Sequence, residues 1–339
     1  MSGPGFERIS RGRSIPASLT RRRLLEGSIA ALASPFVATA GWANSEWPSR
    51  AVRVVVPYPP GGGADTTARI LFQKLGEVWG KSFVIDNKAG AGGTLAEAAV
   101  AKSDADGYTI MHDATGHSIN PGLYPNLSFN AEKDFAPVFL ATLVPNVLVV
   151  NKEVAENTLA DVTAAAKAAP GGLQFASSGI GTVQHLCLEM FKSLAQVPVI
   201  HVPYRGGGPA LNDVMGGHIR YFFSNGAASV GMVEAGQIKA ICHTGKGKLN
   251  TLADLPAAQD SLPGLEAYEW NGVFAPAKTP PEIVQKLNAG LNQLLREADI
   301  RERFKTLNID YKENTPEEFR AFVADETKKW AATLKTVTL

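Results

Sequence analysis

The sequence predicts an α/β protein: a parallel sheet with helices on both faces. After residue 43, short apolar runs alternate with helix-period segments almost without a break. Glycine clusters sit where several of these strands hand over to helices, and from Thr279 onward the chain turns to charged, amphipathic helix.

Strands are expected at 52–56, 83–85, 108–111, 146–150, 174–176, 199–202, 219–223 and 238–241. Helices are expected between them at 65–79, 94–102, 159–168, 182–194, 209–215 and 229–235. The first helix is the clearest, with Ala68, Leu71, Leu75 and Val78 at i, i+3, i+7 and i+10. The segments "TPPEIVQKLNAGLNQLLREADIRERFKTL" and "TPEEFRAFVADETKKWAATLKTV" each open with Thr-Pro and an early glutamate, a helix-start pattern. They should cover the sheet, and their charges, the pair Glu317 and Glu318 included, belong to a solvated face and a helix start.

The N-terminus differs from the rest. Arg21, Arg22 and Arg23 precede an apolar, alanine-rich stretch from Ser28 to Gly41, and Ala38, Ala40 and Ala43 offer small residues for cleavage. Residues 1–43 therefore read as an export signal; the apolar stretch, broken by Pro35, falls short of the roughly 20 residues a spanning helix needs. Arg21 and Arg22 followed by Leu24 and Leu25 also suit a twin-arginine signal, and the destination is periplasmic by either route. Without its six Arg and two Glu, the remaining chain carries a net charge of about −3, which gives no footprint for nucleic acid. Cys187 and Cys242, the two cysteines, sit among apolar neighbours and read as buried thiols, with a disulfide between them as the alternative. Two cysteines do not make a zinc site.

Four glycine turns carry the functional signal: Gly61 to Gly63 in "VVVPYPPGGGADTTARIL", Gly90, Gly92 and Gly93 in "NKAGAGGTLAEAA", Gly179 and Gly181 in "ASSGIGTVQHL", and Gly206 to Gly208 in "VPYRGGGPAL". Backbone N–H groups at a helix start, with about half a positive charge, suit a carboxylate or phosphate. Nucleotide patterns fail: no lysine follows any turn, and G-x-G-x-x-G breaks at Thr66, Leu95 and Gln184. No cofactor is expected. A side chain at Gly62 should intrude where backbone and anion meet, and its φ is expected to exclude other residues. Catalytic patterns are thin, because His185 and Cys187 lie on different helix faces and no G-x-S-x-G or H-E-x-x-H occurs. His112, His117, His201, His218 and His243 have no metal-ligand spacing, so no metal is expected.

Eight blocks in order, "WPSRAVRVVVPYPPGGGADTTARIL", "VIDNKAGAGGTLAEAAVAKSDADGYTI", "INPGLY", "DFAPV", "GTVQHLCLEMF", "VPYRGGGPALNDVMGGHI", "EAGQIKAI" and "GVFAPAKTPPEIVQKLN", resemble the Bug-type periplasmic solute receptors of tripartite tricarboxylate transporters. The resemblance implies a two-lobed type II periplasmic binding fold that the chain crosses twice. Lobe 1 would be 44–145 plus 268–339, and lobe 2 would be 146–267. It implies a monomeric, non-enzymatic receptor that encloses a small organic acid and delivers it to membrane transporter subunits. The alternatives are a partner of a signalling system, or a dehydratase or lyase recruited onto the same fold. Carried over by position, the first wall would be Tyr58, Gly61, Gly62, Gly63, Asp65, Gly92 and Thr115. The second would be Ser177, Gly179, Thr182, His185 and Tyr204, with Ser224 and Asn225 beside them. Where the family commonly reads phenylalanine, aspartate, asparagine, this chain reads Phe223, Ser224, Asn225. That departure points to di- or tricarboxylates or aromatic acids as ligands, in preference to acidic amino acids.

Overall fold

The structure, a computed structural model, describes residues 47–335 and 337; the expected export signal lies outside the described residues. Strands β1 (Val52–Val56), β2 (Phe83–Asn87) and β3 (Thr109–Ala114) pair in parallel with β1 in the centre. Between them come α1 (Gly63–Trp79), a 3₁₀ turn at Ala91–Gly93 and α2 (Thr94–Val100). After α3 (Gly116–Leu123) runs β4 (Phe135–Asn151), a strand of 17 residues. Then follow α4 (Leu159–Ala168), β5 (Leu173–Ser177), α5 (Val183–Ala195), β6 (Val199–Pro203), α6 (Gly207–Gly216), β7 (Tyr221–Asn225), α7 (Gly226–Glu234) and β8 (Ile238–His243). The chain continues through the short α8 (Ala258–Ser261) into β9 (Tyr268–Pro276), then α9 (Pro281–Leu294), α10 (Ala298–Thr306) and α11 (Pro316–Thr333).

The sheet is mixed rather than parallel. Its order is β2-β1-β3-β9-β4-β7-β5-β6, with β8 also on β4. The exceptions to parallel pairing all involve β4 and β9: β9 is antiparallel to β3 and β4, and β4 to β7 and β8. Residues 135–145 of β4 pair with β9, whereas 146–151 pair with β7 and β8, so its partners change between Pro145 and Asn146. The apolar run at 146–150 marks only the second part of this strand. Pro137 and Pro145 disguise the first, since proline removes a ladder donor; the register indeed shifts between Pro137 and Phe139.

Alternation along the strands builds a core on each face. In one half Val52, Val54 and Val56 pack with Leu71, Leu75 and Leu291, while Val55 and Met111 face Phe274 and Phe319 on the other side. In the other half Leu148, Val150, Phe175 and Phe223 meet Leu186 and Phe191 of α5, and Val147, Val149 and Phe222 meet Leu211 and Val214 of α6. Full burial of such a side chain is worth about 1.5–3 kcal/mol. Cys187 and Cys242 are free and buried in this second half. Burial pushes the Cys242 thiol up to about 12 and Cys187 well above the usual thiol range, so both remain uncharged.

The C-terminal helices pack as covers, and the first expected segment divides into α9 and α10 around Leu295–Glu297. A capping box starts α11: Thr315 N–H donates to Glu318 Oε2 at 2.8 Å, and Glu318 N–H to Thr315 Oγ1 at 3.1 Å. That satisfies two helix-start donors and accounts for Glu318.

Candidate functional site

The first turn of an α-helix leaves N–H groups without internal partners and carries partial positive charge. Five such helix starts line one cavity. They are Gly63 and Ala64 of α1 with Gly62 before them, Gly116 of α3 with Thr115, Val183 and Gln184 of α5 with Thr182, Gly207 of α6, and Ala228 of α7 with Asn225. Tyr58, Ala114, Ser178, Ser224 and Glu269 complete the wall. Among the described residues no lysine or arginine lines it. α1, α3 and α6 have no side-chain cap, which leaves their first N–H groups to a guest.

The glycine turns meet in pairs. Turn 61–63 lies against turn 206–208, where an ideal Cβ on Gly61 would stand 3.7 Å from Gly208 Cα, and one on Gly62 3.7 Å from Gly207 N. Turn 90–93 faces turn 179–181: a Cβ on Gly92 would come 3.0 Å from Ile180 O. A cleft of about 510 Å³ runs beside this second pair, lined by Gly92, Gly179, Tyr58, Tyr204 and Arg205 among others. The glycine requirement differs from the expected one. Gly62 has φ −85°, open to any residue; Gly61, at φ +83°, holds the left-handed conformation that favours glycine.

The expected site residues therefore fall into three groups. Tyr58, Gly62, Gly63, Thr115, Thr182, Ser224 and Asn225 line the cavity, and Gly92, Gly179 and Tyr204 line the adjoining cleft. Gly61, Asp65, Ser177 and His185 stand behind these walls and hold the turns. Asp65 Oδ2 accepts the Gly61 N–H and Arg69 Nε, each at 3.0 Å, and its Oδ1 accepts Asn87 Nδ2 at 2.9 Å. Although burial opposes it, these bonds hold the Asp65 carboxyl below the usual carboxylate range. Ser177 Oγ accepts Gly179 N–H at 3.1 Å and lies 2.6 Å from His201 Nε2. His185 Nδ1 accepts Gly181 N–H at 3.3 Å, so this imidazole shapes a turn.

His185 and His201 stack with ring centroids 3.8 Å apart. Burial, then the neighbouring basic groups His201 and Lys192, lowers His185 to about 3; burial and Lys192 lower His201 to about 4. An unfolded histidine titrates near 6.5. Below that value the unfolded chain takes up protons that the folded pair refuses, so this contribution is whole above about 6.5 and is lost as pH falls toward 4 and 3. Buried carboxyls with raised values, Asp113 and Glu269, act in the opposite direction. The variant His185→Gln/His201→Gln should therefore lose less stability than the unmodified protein between pH 7 and pH 5 in urea titrations. Parallel curves would remove the histidine pair as the cause.

Sequence spacing did not mark two features. Glu97, Asp113 and His117, all buried, bring donor atoms within 4.8 Å of one another. His117 Nδ1 is 2.9 Å from Glu97 Oε1, and Glu97 Oε2 accepts Asn120 Nδ2 at 2.9 Å. Burial and the Glu97 charge push Asp113 well up. His117 and Glu97 are bonded, Asp113 Oδ2 stands 3.7 Å from His117 Nδ1 without a hydrogen bond, and the cluster lies behind Tyr58, whose phenol is itself pushed well up by burial and then by the acidic groups Asp113, Glu97 and Glu269. The other feature is Glu269, on the cavity wall in β9; an acidic residue inside the apolar stretch "AYEWNGVFAP" was its available signal.

Residues 67–339 match the family described as tripartite tricarboxylate transporter family receptor. Protein BugT of Bordetella pertussis is 33% identical over 307 residues, spanning 88% of this chain and 94% of BugT. Two solved structures are similar throughout. Rpa4515 of R. palustris with adipate has a TM-score of 0.83 at 34% identity, covering 86% of this chain and 98% of that one. MatC (Rpa3494) from Rhodopseudomonas palustris with bound malate has a TM-score of 0.79 at 32% identity, covering 84% and 99%.

Proposed function

The chain belongs to the Bug-type receptors of the tripartite tricarboxylate transporter family, and from that premise we propose that it captures a small organic acid in the periplasm for delivery to membrane transporter subunits. The convergence of five helix starts on one cavity without a cation supports this reading best. Oriented N–H groups solvate a carboxylate without a lysine or arginine, and several half-charges summed over one cavity favour a dianion. The relatives that hold adipate and malate point to the same class, a di- or tricarboxylate, with aromatic carboxylates as the remaining members of the expected set.

Capture works by closure. In this reading lobe 1 is 44–145 with 268–339 and lobe 2 is 146–267. The hinges are then the β4 segment at Pro145 and Asn146 and the start of β9. The cavity has a volume of about 30 Å³, whereas ligand pockets generally run to roughly 300–1,000 Å³. A dicarboxylate therefore enters only when the lobes part, and it binds the closed state better because it touches both. The protein acts as a monomer and leaves its ligand chemically unchanged.

A melting-temperature screen of carboxylates tests the proposal. Ligand at 100 times its dissociation constant adds about 2.7 kcal/mol of stability. At least one di- or tricarboxylate should raise the melting temperature and be recovered unchanged after incubation. A rise with inorganic phosphate alone would make the cavity a phosphate site, and conversion of a tightly bound acid would make the protein an enzyme.

A further inference from the structure

A carboxyl group on the wall of an anion cavity is costly unless its charge is cancelled. Glu269 lines the cavity and is 6% exposed. Gln184 Nε2 donates to its Oε2, and Asn271 Nδ2 to its Oε1 at 3.4 Å. Other bonds fix both amides in that orientation: Gln184 Nε2 also donates to Asn146 Oδ1 at 3.1 Å, while Asn271 Oδ1 accepts Thr67 Oγ1 at 3.0 Å and Thr142 Oγ1 at 3.1 Å.

The surroundings supply amide and helix-start dipoles, Asn225 among them, but no lysine or arginine side chain. α5 presents Gln184, α7 follows Asn225, and α3 follows Thr115; opposite Glu269 on β4 stands Val144, and Pro145 and Asn146 come next. Tyr58 is the titratable group facing it across the cavity, and behind Tyr58 lie the acids Asp113 and Glu97 with His117. An ionised Glu269 would thus meet an incoming carboxylate with like charge in a space that excludes most water.

Building on the carboxylate-receptor reading, we propose that Glu269 is a specificity-determining residue that contacts the ligand as a neutral carboxyl, donating its O–H to a ligand carboxylate oxygen. Capture of the anion then takes up one proton from solution, and that proton resides on Glu269. Burial independently pushes this carboxyl above the usual carboxylate range, against the pull of its amide partners. A neutral carboxyl gives an ammonium group no charge partner, so the protonated arrangement favours acids without one.

Calorimetry with adipate and with malate, at pH 5.5 to 8.5 in buffers of different ionisation enthalpy, counts the protons. The unmodified protein should take up close to one proton per ligand at the upper end of this range, and affinity should fall about tenfold per pH unit above the pKa of Glu269 in the free protein. Glu269→Gln, a neutral side chain of similar shape whose NH2 cannot accept the amide bond that the replaced oxygen accepts, should bind more weakly than the low-pH protein and lose both the slope and the proton. Binding without proton uptake, an unchanged slope in Glu269→Gln, or tighter binding of aspartate than of malate would each overturn the role of Glu269 and leave the receptor reading intact. Failure of every carboxylate to bind at any pH would overturn the receptor reading and this inference together. Should Glu269→Gln not fold, the proton count of the unmodified protein decides alone.

Discussion

Gly208→Ala should weaken ligand binding ten- to a hundredfold, about 1.4–2.8 kcal/mol, while the protein stays folded. Gly208 is the second residue of α6, at a backbone conformation open to any residue, and alanine is the better helix former by up to about 1 kcal/mol. Its difficulty lies across the cleft. An added methyl would overlap the carbonyl oxygen of Pro60 and stand 3.2 Å from Gly61 C, and both obstacles are backbone that no rotamer change moves aside. The two turns would have to part by about an ångström, which loosens every N–H contact to a ligand held between them. Gly231→Ala, inside α7 and off the cavity wall, is the control: its added methyl meets nothing within 4 Å. Isothermal titration of both variants with the best carboxylate, beside circular dichroism, separates closure from folding. Binding by Gly208→Ala equal to that by Gly231→Ala would mean that these turns do not close on the ligand.

That contrast illustrates what the sequence could and could not convey. The strand-turn-helix units were legible because each is local: Val52–Val56 running through glycines into a helix announces itself within one window, and α1 begins within two residues of its expected start. The pairing of turn 61–63 with turn 206–208 is not local, and no spacing in the chain specifies which of four glycine clusters will meet. The same holds for β4 and β9. Their antiparallel pairing joins residues more than a hundred positions apart, and proline in β4 weakened its periodic signal. Glu269 stayed hidden for that reason, since its place on the cavity wall depends on where β9 lies. The supporting residues Asp65, Ser177 and His185 came from the family resemblance, which placed them on the walls. Whether each faces the cavity or braces the turn from behind is set by side-chain direction alone.

Ser224→Asp should weaken binding of a dicarboxylate by about 1–3 kcal/mol. Ser224, next to last in β7 and beside Val147 of β4, is 1% exposed and lines the cavity, with its Oγ donating to Asn225 O at 3.2 Å. A hydroxyl there adds no charge. A carboxylate in its place would share the cavity wall with Glu269 and with the ligand's own charges. The substituted protein must then either bear like-charge repulsion or bind an additional proton with each ligand, so its loss of affinity should deepen as pH rises. An ammonium-bearing ligand should respond in the opposite sense, because the new carboxylate gives that group a partner inside the cavity; aspartate should gain where malate loses. Calorimetry with malate and aspartate on both proteins at pH 6 and pH 8 reads the four affinities. Equal malate affinities would mean that position 224 does not influence the ligand. Tight binding of aspartate or glutamate by the unmodified protein would overturn the preference for plain and hydroxylated acids, because the acceptor for the ammonium would then already be present, with Glu269 the nearest carboxyl on the wall to supply it.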